Sequence, residues 1–415
     1  MEKQIALVLG GTVPHMELIR QLKERGYYTI LIDYLDNPPA ADVADEHIKE
    51  STLDEEKVLE IAKQRRASLV ISGCVDQANI SACYALENMG LHAPYSYDVA
   101  KKITNKGYMK RVMRENGIPT SQYIYVENSD EVPQIDIEYP VMVKPADSNS
   151  ANGVKKASDE EEMKEYLGEA LKISRNGRAI IEGFVEGQEI SAYCFVQNHK
   201  AKLLMTAERL SITEGQEKVI KCYASIAPAR ISKQAEKNAE EITTKIANAF
   251  GLDNTPLFFQ GIVRGDDIYV IEFAPRVGGG ISYRTILSNT GFDIISATID
   301  SYLGRSPEYK YYNPEHIYVV NTIYGEDSVY DHMEGFEKLI DNGTIEYMFY
   351  HKKKGAILDN SRASSSRIGA FIVKADDETE MFEKVKKAYE TLDAKDKTGN
   401  SIIRRELNID YLLNQ

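Results

Sequence analysis

The chain has 415 residues, more than one hydrophobic core ordinarily holds, so about two to four domains are expected. Hydrophobic residues make up 43% of the chain and charged residues 27%, an ordinary globular composition that excludes disordered and collagen-like classes. The chain has 50 Lys and Arg residues against 64 Asp and Glu residues and a net charge of −14, so we expect no nucleic-acid partner and no anionic membrane partner.

Membrane-spanning and disulfide-stabilised classes are not expected either. No apolar run approaches the roughly 20 residues that cross a bilayer, and the run Ile5–Leu9 is too short for a signal-peptide core. The four cysteines form no Cys-x-x-Cys pair, and the seven histidines form no His-x-His or His-Glu-x-x-His motif. We therefore expect a cytoplasmic protein with reduced thiols and no zinc site.

Strand and helix patterns alternate through the first hundred residues. Strands are predicted at residues 5–9, 28–32 and 68–72, and each precedes a helix, at 14–25, 54–66 and 76–89. This βαβαβα order predicts a parallel sheet covered by helices. Ligands of such sheets bind beyond the carboxyl ends of the strands. Gly10, Gly11, Asp33 and Asp76 lie at these ends, so we expect them to contact a substrate.

The remaining patterns predict a mixed α/β structure. A helix at 105–116 ends in a Gly-Ile-Pro stop signal, and further helices are predicted at 159–173, 232–250, 291–303 and 377–392. Strands are predicted at 139–144, 178–182, 189–196, 202–208, 217–225 and 367–373. Residues 255–263 and 268–273 read as a hairpin around a turn at 264–267. There is no repeat or low-complexity linker, so we expect the domains to pack as one body.

The Gly10-Gly11 turn has two interpretations. Its amides, at a helix N-terminus, could cradle an anion, or the glycines could simply form a tight βα turn. The following residues do not complete the Gly-x-Gly-x-x-Gly fingerprint, so a nicotinamide cofactor is not favoured. No Walker A sequence occurs, so any use of ATP requires another architecture.

A lysine and two carboxylates point to nucleotide chemistry further along the chain. Lys144 ends an apolar strand, where burial is costly unless an anion pairs with it, and residues 148–153 form a Ser- and Asn-rich loop suited to phosphates. Glu182 and Glu189 flank an extended linker whose backbone could read an adenine edge, while Glu189 could accept from ribose hydroxyls. Taken alone, Lys144 and its loop are better explained as an edge-strand lysine and a flexible turn.

The hairpin places two oxygen donors together. Residue 266, in the turn, is the midpoint of Gln260 and Glu272, so we expect these side chains opposite each other, about 5 Å apart. Such a pair suits Mg²⁺, which takes its remaining ligands from phosphates and water. Arg276 follows the strand and carries a permanent charge suited to phosphate. A structural salt bridge between Glu272 and Arg276 is the alternative.

In this order, these motifs resemble the ATP-grasp superfamily of carboxylate–amine and carboxylate–thiol ligases over nearly the whole chain. The resemblance implies an α/β fold in three parts. These are a pre-ATP-grasp parallel βαβ domain at 1–103, an ATP-grasp domain of two α+β subdomains at 104–310, with its lid at about 120–185, and a small C-terminal α+β domain at 311–415 packed on the ATP-grasp core.

The resemblance also assigns site residues. The expected ATP ligands comprise two phosphate lysines, the phosphate loop, the adenine hinge and a ribose acid: Lys106, Lys144, Ser148, Ser150, Gly153, Glu182, Gly183, Phe184, Val185 and Glu189. Gln260 and Glu272 match the pair that binds Mg²⁺ or Mn²⁺. Arg276 matches the arginine that steadies the phosphorylated intermediate and, with Lys144, forms the expected catalytic pair. The sequence departs from the family pattern at Ala274, where the usual residue is Asn, and in a phosphate loop with Gly153 as its only glycine.

The implied function is an ATP-dependent ligase that activates a carboxylate as an acyl phosphate and passes it to an amine or similar nucleophile, releasing ADP and phosphate. The implied partners are small-molecule substrates and a second copy in a homodimer. A phosphoribosylglycinamide-synthetase-like, aminoimidazole-ribonucleotide-synthetase-like or amino-acid ligase fits, the first two in purine biosynthesis. Further expected substrate contacts are Gly279, Gly280, Arg284, Arg362 and Arg367, although solvated arginines are the alternative for the last three. The alternative function is ATP binding without ligase activity, which Ala274 and the glycine-poor loop favour.

Overall fold

A computed structural model describes residues 3–127, 136–148, 152–214, 219–308 and 311–407. The chain begins with β1 (Ile5–Leu9), α1 (Val13–Glu24), β2 (Tyr28–Ile32), a short 3-10 turn (Pro39–Asp42), β3 (Glu46–Ile48), α2 (Glu55–Gln64), β4 (Leu69–Ile71) and α3 (Asp76–Asn88). The strands are parallel, in the order β3-β2-β1-β4. The expected parallel sheet is therefore confirmed, and β3 is an edge strand that the sequence patterns did not predict.

This parallel sheet is buried because helices cover it, which explains its uninterrupted apolar strands. In its centre, Leu7 of β1 pairs with Ile30 of β2 and Val70 of β4, and all three side chains are buried. The parallel register brings the carboxyl ends of the strands to one edge. The turns that follow β1, β2 and β4 consequently open on a common cleft.

A second sheet is small and antiparallel. Helices α4 (Tyr97–Thr104) and α5 (Lys106–Glu115) lead to β5 (Tyr123–Val126), β6 (Val141–Pro145), β7 (Lys155–Ala157), α6 (Glu160–Ile173) and β8 (Ala179–Gly183). The strand order is β5-β8-β6-β7, and α6 packs on one face around its own apolar cluster, which includes Val143, Met163 and Leu167. Asp159 caps α6 by accepting a hydrogen bond from the Glu162 amide at 2.9 Å, so this helix begins where its sequence predicts.

The third sheet has eight antiparallel strands. Its elements are β9 (Gln188–Gln197), β10 (Lys200–Glu214), β11 (Val219–Ala227), α7 (Lys233–Phe250), β12 (Thr255–Arg264), β13 (Asp267–Ala274), α8 (Ser282–Thr290), α9 (Ile294–Tyr302), β14 (Ile317–Tyr324), β16 (Tyr347–Tyr350) and β18 (Arg367–Ala375). The order is β13-β12-β9-β10-β11-β14-β18-β16. Helix α7 covers one face, while α8 and α9 join the other face to the N-terminal domain. The eight-stranded sheet therefore packs against α7 on one face and, through α8 and α9, against the N-terminal domain on the other.

The remaining elements lie towards the C-terminus: β15 (Ser328–Glu334), α10 (Phe336–Asp341), β17 (Ile357–Leu358), α11 (Ala363–Ser366), α12 (Glu378–Thr391) and β19 (Asp393–Asp396). Strands β17, β15 and β19 form a small sheet. The eight-stranded sheet continues across the expected boundary at 310/311, because Ala224 of β11 pairs with Asn321 of β14. The three expected domains stay a prediction, and the last two share this sheet.

The predicted hairpin register is confirmed: Gln260 on β12 pairs with Glu272 on β13, next to a bulge. Most predicted helices and strands end within about two residues of the predicted bounds, the uncertainty inherent in helix ends. Strand β10 is longer than predicted because its last residues pair with β11. In the part of the chain that the structure describes, no helix combines the length and apolarity needed to span a bilayer.

Candidate active site

The small sheet presents a buried carboxylate between two lysines. Glu182 on β8 and Lys144 on β6 are 4% and 8% exposed, and Lys144 Nζ lies 3.0 Å from Glu182 Oε1. Lys110 Nζ on α5 lies 3.1 Å from the other oxygen, Oε2. Burial raises the pKa of Glu182, but the two ammonium groups outweigh this effect and lower it to about 2. Glu182 is therefore a carboxylate at neutral pH.

The expected phosphate lysine and its loop lie together. Lys106 begins α5, which Asn105 caps, and Lys106 Nζ donates to the carbonyl oxygen of Ser148 at 3.1 Å. Gly153 adopts a positive φ of 73°, and a Cβ there would approach Pro145 Cγ to 2.9 Å, so the close packing requires glycine. Ser150 lies outside the described residues. Lys106 and the described part of the loop thus share one side of the site.

The expected adenine hinge lies at the end of β8, where two backbone hydrogen bonds hold it to neighbouring segments. The Gly183 amide donates to Gln122 O at 2.9 Å, and the Phe184 amide donates to Pro140 O at 3.1 Å. These two amides are therefore committed within the protein, which leaves the neighbouring backbone at Val185 to meet a nucleobase. The Phe184 side chain is 40% exposed, and Lys156 Nζ lies 3.7 Å from the centre of its ring.

Glu189, the expected ribose acid, has a cationic partner. Its Oε1 accepts from Arg209 Nε on β10 at 2.8 Å, and neither side chain is more than 29% exposed. The sequence patterns did not single out Arg209, because Arg209 on β10 comes beside Glu189 on β9 only when the sheet forms. The ion pair fixes the orientation of Glu189, with the other carboxylate oxygen available to a ligand.

The expected metal pair lies near Lys106. Gln260 and Glu272 face each other across the hairpin, and Lys106 Nζ lies 3.6 Å from Glu272 Oε2. Partial burial raises the pKa of Glu272, yet nearby cations outweigh it and hold this pKa below its ordinary value. These cations are Lys106, Lys144, Arg276 and Arg209. The Glu272 side chain is 39% exposed, so an ionised oxygen remains accessible to a ligand.

Arg276 pairs with Asp76, which excludes the simple Glu272–Arg276 salt bridge considered from the sequence. The guanidinium donates to both carboxylate oxygens, from Nε at 2.5 Å and from Nη2 at 2.7 Å, and it lies 4.9 Å from the Phe258 ring centre. Burial lowers the pKa of Arg276, but Asp76 more than compensates and raises it. Asp76, in the N-terminal domain, thus positions Arg276, while its expected direct contact with a substrate stays a prediction.

Ala274, the position of the usual asparagine, is 5% exposed and belongs to the hydrophobic cluster shared with the N-terminal domain. Among the described residues, no group of three or more His, Cys, Asp and Glu side chains is arranged to bind a metal. A divalent cation at Gln260 and Glu272 would therefore need ligand oxygens to complete its coordination.

The Gly10-Gly11 turn is a tight turn rather than an anion cradle. The Gly10 amide donates to Ile32 O at 2.9 Å, and the Gly11 amide donates to Asp33 Oδ2 at 2.7 Å. The other oxygen of Asp33 accepts from the Leu35 amide at 2.9 Å. Both backbone amides and both Asp33 oxygens are therefore used within the protein. The structure therefore favours the tight-turn interpretation of Gly10-Gly11, and the expected substrate contacts of Gly10, Gly11 and Asp33 stay a prediction.

The other expected substrate residues are divided between two places. Gly279 and Gly280 are exposed just before α8, and Arg284 on α8 hydrogen-bonds to the Tyr347 hydroxyl with its guanidinium 4.0 Å from the ring centre. Arg362 is exposed at the start of α11. The structure brings none of these residues into direct contact with the Glu182 or Glu272 carboxylates.

Arg367 begins β18 and is half-buried, with its guanidinium 6.0 Å from the Tyr324 ring centre. Its Nε and that of Arg284 are buried atoms for which no partner is found within the described residues. His351 and Lys352 lie beside it: burial and the Arg367 charge lower the pKa of His351 to about 3 and also lower that of Lys352. This cluster is suited to an anionic group.

His15 is another residue that the sequence patterns did not identify. It is fully buried in α1 and its Nδ1 bonds to Thr12 Oγ1 at 2.8 Å. Burial, with a smaller contribution from the nearby Arg276 charge, lowers its pKa to about 4, so the ring is neutral. A Cβ at Gly10 would lie 2.9 Å from this ring, which explains the glycine. A lone histidine in an amphipathic helix gives no signal of such packing.

Comparisons with known proteins bear on the family and the fold of the chain. Residues 104–280 match the family model "Phosphoribosylglycinamide synthetase, ATP-grasp (A) domain". The formate-dependent phosphoribosylglycinamide formyltransferase of Ignicoccus hospitalis is 29% identical over 255 residues, covering 60% of this chain and 63% of the relative. The enzyme of that name from Sulfurisphaera tokodaii is 25% identical over 279 residues, covering 65% and 69%. The chain thus spans about two thirds of the length of these curated relatives.

The fold likeness extends further along the chain. Phosphoribosylglycinamide synthetase from Anaerococcus prevotii has a TM-score of 0.74 at 19% identity and covers 95% of this chain and 100% of its own. L-amino acid ligase from Bacillus licheniformis has a TM-score of 0.77 at 16% identity, covering 94% and 98%. At these identities the likeness concerns the fold. The family match identifies an ATP-grasp domain at residues 104–280, and the fold likeness over nearly the whole chain agrees with the expected resemblance to the ATP-grasp superfamily of carboxylate–amine ligases.

Proposed function

We propose that this chain is an ATP-dependent ligase. It activates a carboxylate as an acyl phosphate and transfers the acyl group to an amine, with release of ADP and phosphate. The observation that supports this most strongly is the convergence of Lys106, Lys144 and Arg276 around the Glu272 carboxylate. These cations come from α5, the small sheet and the end of β13, as expected where several phosphate oxygens must be held at once.

ATP would lie between the small sheet and the eight-stranded sheet. In the proposal, Val185 and its neighbours read the adenine, Glu189 accepts from the ribose, and Lys144 and Lys106 hold the phosphates. Gln260 and Glu272 would hold Mg²⁺ or Mn²⁺, which would supply charge neutralisation for the phosphates. The donor chemistry fits, since Glu272 is ionised and partly exposed opposite the amide of Gln260.

Positioning and charge neutralisation are the contributions of the protein in this reaction. The substrate carboxylate attacks the γ-phosphorus, the bond to the β-phosphate oxygen breaks, and ADP carries away the electron pair. Arg276, held by both oxygens of Asp76, offers its remaining N–H groups to the acyl phosphate. The amine nitrogen then attacks the acyl carbon, and phosphate leaves as the amine loses a proton.

The amine is proposed to belong to a phosphorylated, ribonucleotide-like substrate. The relatives named for phosphoribosylglycinamide substrates support this class, and the guanidinium groups of Arg367 and Arg284 supply positive charge suited to its phosphate, with the neutral His351 beside Arg367. An amino acid is the second substrate class, and formate or bicarbonate fits as the acid. A cytoplasmic location and a homodimer complete the proposal.

The test is ADP release with Mg²⁺ and ATP. Pools of amino acids and phosphoribosyl amines are scanned with formate, bicarbonate and amino acids as acids. We expect ADP from one combination, and loss of this signal in Lys144→Met but not in Lys164→Met. Lys164 is the matched control, because it lies on α6, which packs on the same small sheet, and its side chain is 50% exposed. ADP release that is unchanged in Lys144→Met would contradict the assignment.

A second candidate function is nucleotide binding without ligase activity. Ala274 favours it, because its buried methyl group offers no metal ligand where the family usually has an amide. This candidate predicts ATP binding with no ADP from any pool. The same ADP-release assay, combined with binding calorimetry, separates the two functions.

A further inference from the structure

Lys110 on α5 is a buried cation to which the proposed reaction assigns no role. The residue is 1% exposed. Its Nζ lies 3.1 Å from Glu182 Oε2, 2.6 Å from Thr120 Oγ1 and 3.4 Å from Ser121 Oγ. It also lies 3.4 Å from Val270 O on β13. One ammonium group thus joins the small sheet, the segment leading into it and the eight-stranded sheet.

The two oxygens of Glu182 are divided between two lysines. Oε2 accepts from Lys110 and, at 2.8 Å, from Ser121 Oγ, while Oε1 faces Lys144 Nζ at 3.0 Å. The buried cluster contains two ammonium groups and one carboxylate, so its net charge is +1. Buried charges are tolerated only when each is paired and hydrogen-bonded, and here each one is.

The surplus charge bears on Lys144. With Lys144 as the only cation beside Glu182, the pair would be neutral and would attract a phosphate weakly. Lys110 compensates the carboxylate from the side of the eight-stranded sheet, so the cluster as a whole remains cationic. The groups that Lys110 contacts lie on β8, on β13 and in the segment before β5, and the proposed phosphate ligands do not include Lys110.

We propose that Lys110 is a positioning residue that neutralises Glu182 and thereby leaves Lys144 its charge for the nucleotide phosphates. This rests on the proposed function, because Lys144 is taken to bind ATP. It goes beyond that function by giving a buried residue outside the nucleotide cleft control over affinity for phosphate. The effect acts on phosphates and not on the base, which makes it measurable.

The experiment compares the affinities of Lys110→Met for ATP, ADP and adenosine with those of the wild type, by calorimetry and competition with Mg²⁺ present. We expect ATP affinity to fall about tenfold, in keeping with the loss of a charge-assisted contact. ADP affinity should fall less, and adenosine affinity should not change. Arg111→Met, at an exposed position on the same helix, is the control and should bind all three ligands as the wild type does.

A second variant separates charge from packing. In Lys110→Met with Glu182→Gln, no carboxylate remains to neutralise Lys144, so the ratio of ATP affinity to adenosine affinity should recover towards the wild-type ratio, whatever Glu182 itself contributes to binding adenine. A role confined to packing predicts equal losses for ATP and adenosine and no recovery. If Lys110→Met does not fold, Lys110→Arg keeps the charge and should bind ATP nearly as the wild type does.

The outcomes distinguish this proposal from the proposed function. If the wild type binds ATP and Lys110→Met binds it equally well, the role of Lys110 is wrong and the ligase proposal stands. Parallel losses without recovery in the double variant also overturn the role of Lys110, as does a folded Lys110→Arg that loses ATP affinity. If the wild type binds no ATP, both proposals fail.

Discussion

At the scale of single residues, the site depends on charges that meet across long sequence separations. Arg276 and Asp76 are 200 positions apart, yet their side chains form a two-point ion pair. The sequence placed Asp76 at a strand end and Arg276 after a metal-binding pattern, so each could be singled out. Their pairing could not be predicted, because it exists only after the N-terminal domain packs beside β13.

Replacing Asp76 tests the importance of this pair. Asp76→Asn should lower the free energy of unfolding by about 1 to 3 kcal/mol, because it leaves a partly buried guanidinium without its charged partner. Asp98→Asn, the control, removes an exposed pair with Lys102 and should leave the free energy of unfolding nearly unchanged. Urea denaturation measures both values, and equal costs would contradict the account of Asp76.

Glu182 should make the free energy of unfolding depend on pH in the acidic range. Its pKa is lowered from 4.5 to about 2 in the folded protein, so the stabilisation is present above the unfolded-state value and is lost as pH falls towards the folded-state value. The difference in unfolding free energy between wild type and Glu182→Gln should therefore shrink by about 2 kcal/mol from about pH 5 to about pH 3. A difference that stays constant over this range would show that Glu182 is not held as a buried ion.

The environment of Lys110 is a feature of single residues that could not be predicted from the sequence. Lys110 lies four residues after Lys106, hence on the same face of a helix. That spacing was visible, but the four partners of Lys110, which lie on other parts of the chain, were not. Arg209 and His15 likewise become informative only through the residues that the fold brings beside them.

At the scale of elements, the connection between β8 and β9 joins the small sheet to the eight-stranded sheet. Gly187, in this connection, has a φ of 153°, and a Cβ there would lie 2.3 Å from Val263 O. The backbones therefore approach more closely than any side chain allows. The same connection precedes Glu189, so its conformation also affects the position of the expected ribose acid.

Gly187→Ala should destabilise the protein by about 1 to 3 kcal/mol, because the new methyl group meets a backbone oxygen that cannot move aside. Gly168→Ala, the matched control within α6, meets no atom within 4 Å and should stabilise the protein by about 0.5 to 1 kcal/mol. Thermal unfolding of both variants measures the contrast. Stabilisation by both substitutions would contradict the described close approach.

The sequence was most informative about elements with local signals. The helices carry caps, such as Ser232 and Gly251 at the ends of α7, and the hairpin register follows from its turn. Short strands such as β3 and β7 were missed because their partners, rather than their own three residues, make them strands.

At the scale of the whole molecule, the eight-stranded sheet joins two of the expected domains. Strand β11 pairs with β14, and the buried side chains of β11 form one cluster with those of β14, β18 and α12. The expected domain boundary at 310/311 was implied by the family resemblance. Strand order between distant segments leaves no periodicity in the sequence, so the shared sheet could not be predicted.

Truncation after residue 310 tests this continuity. The shortened chain would expose the edge of β11 and the apolar cluster that it shares with β14, so we expect a lower unfolding temperature and aggregation. The full chain should unfold in a more cooperative transition. Calorimetric scans of both chains provide the comparison, and a truncated chain as stable as the full one would contradict the shared core.

The central claim is that Lys106, Lys144, Gln260 and Glu272 form a site for ATP and a divalent cation. Titration calorimetry of ATP, with and without Mg²⁺, tests it most directly on wild type, Glu272→Ala and the control Glu115→Ala. Glu115 is a suitable control because its side chain is 60% exposed on α5.

The account predicts that Mg²⁺ strengthens ATP binding in wild type and in Glu115→Ala. In Glu272→Ala this Mg²⁺-dependent gain should fall at least about tenfold, the lower limit for the loss of a group that supports a bound metal. ATP binding that is independent of Mg²⁺, or equally strong in Glu272→Ala, would contradict the claim.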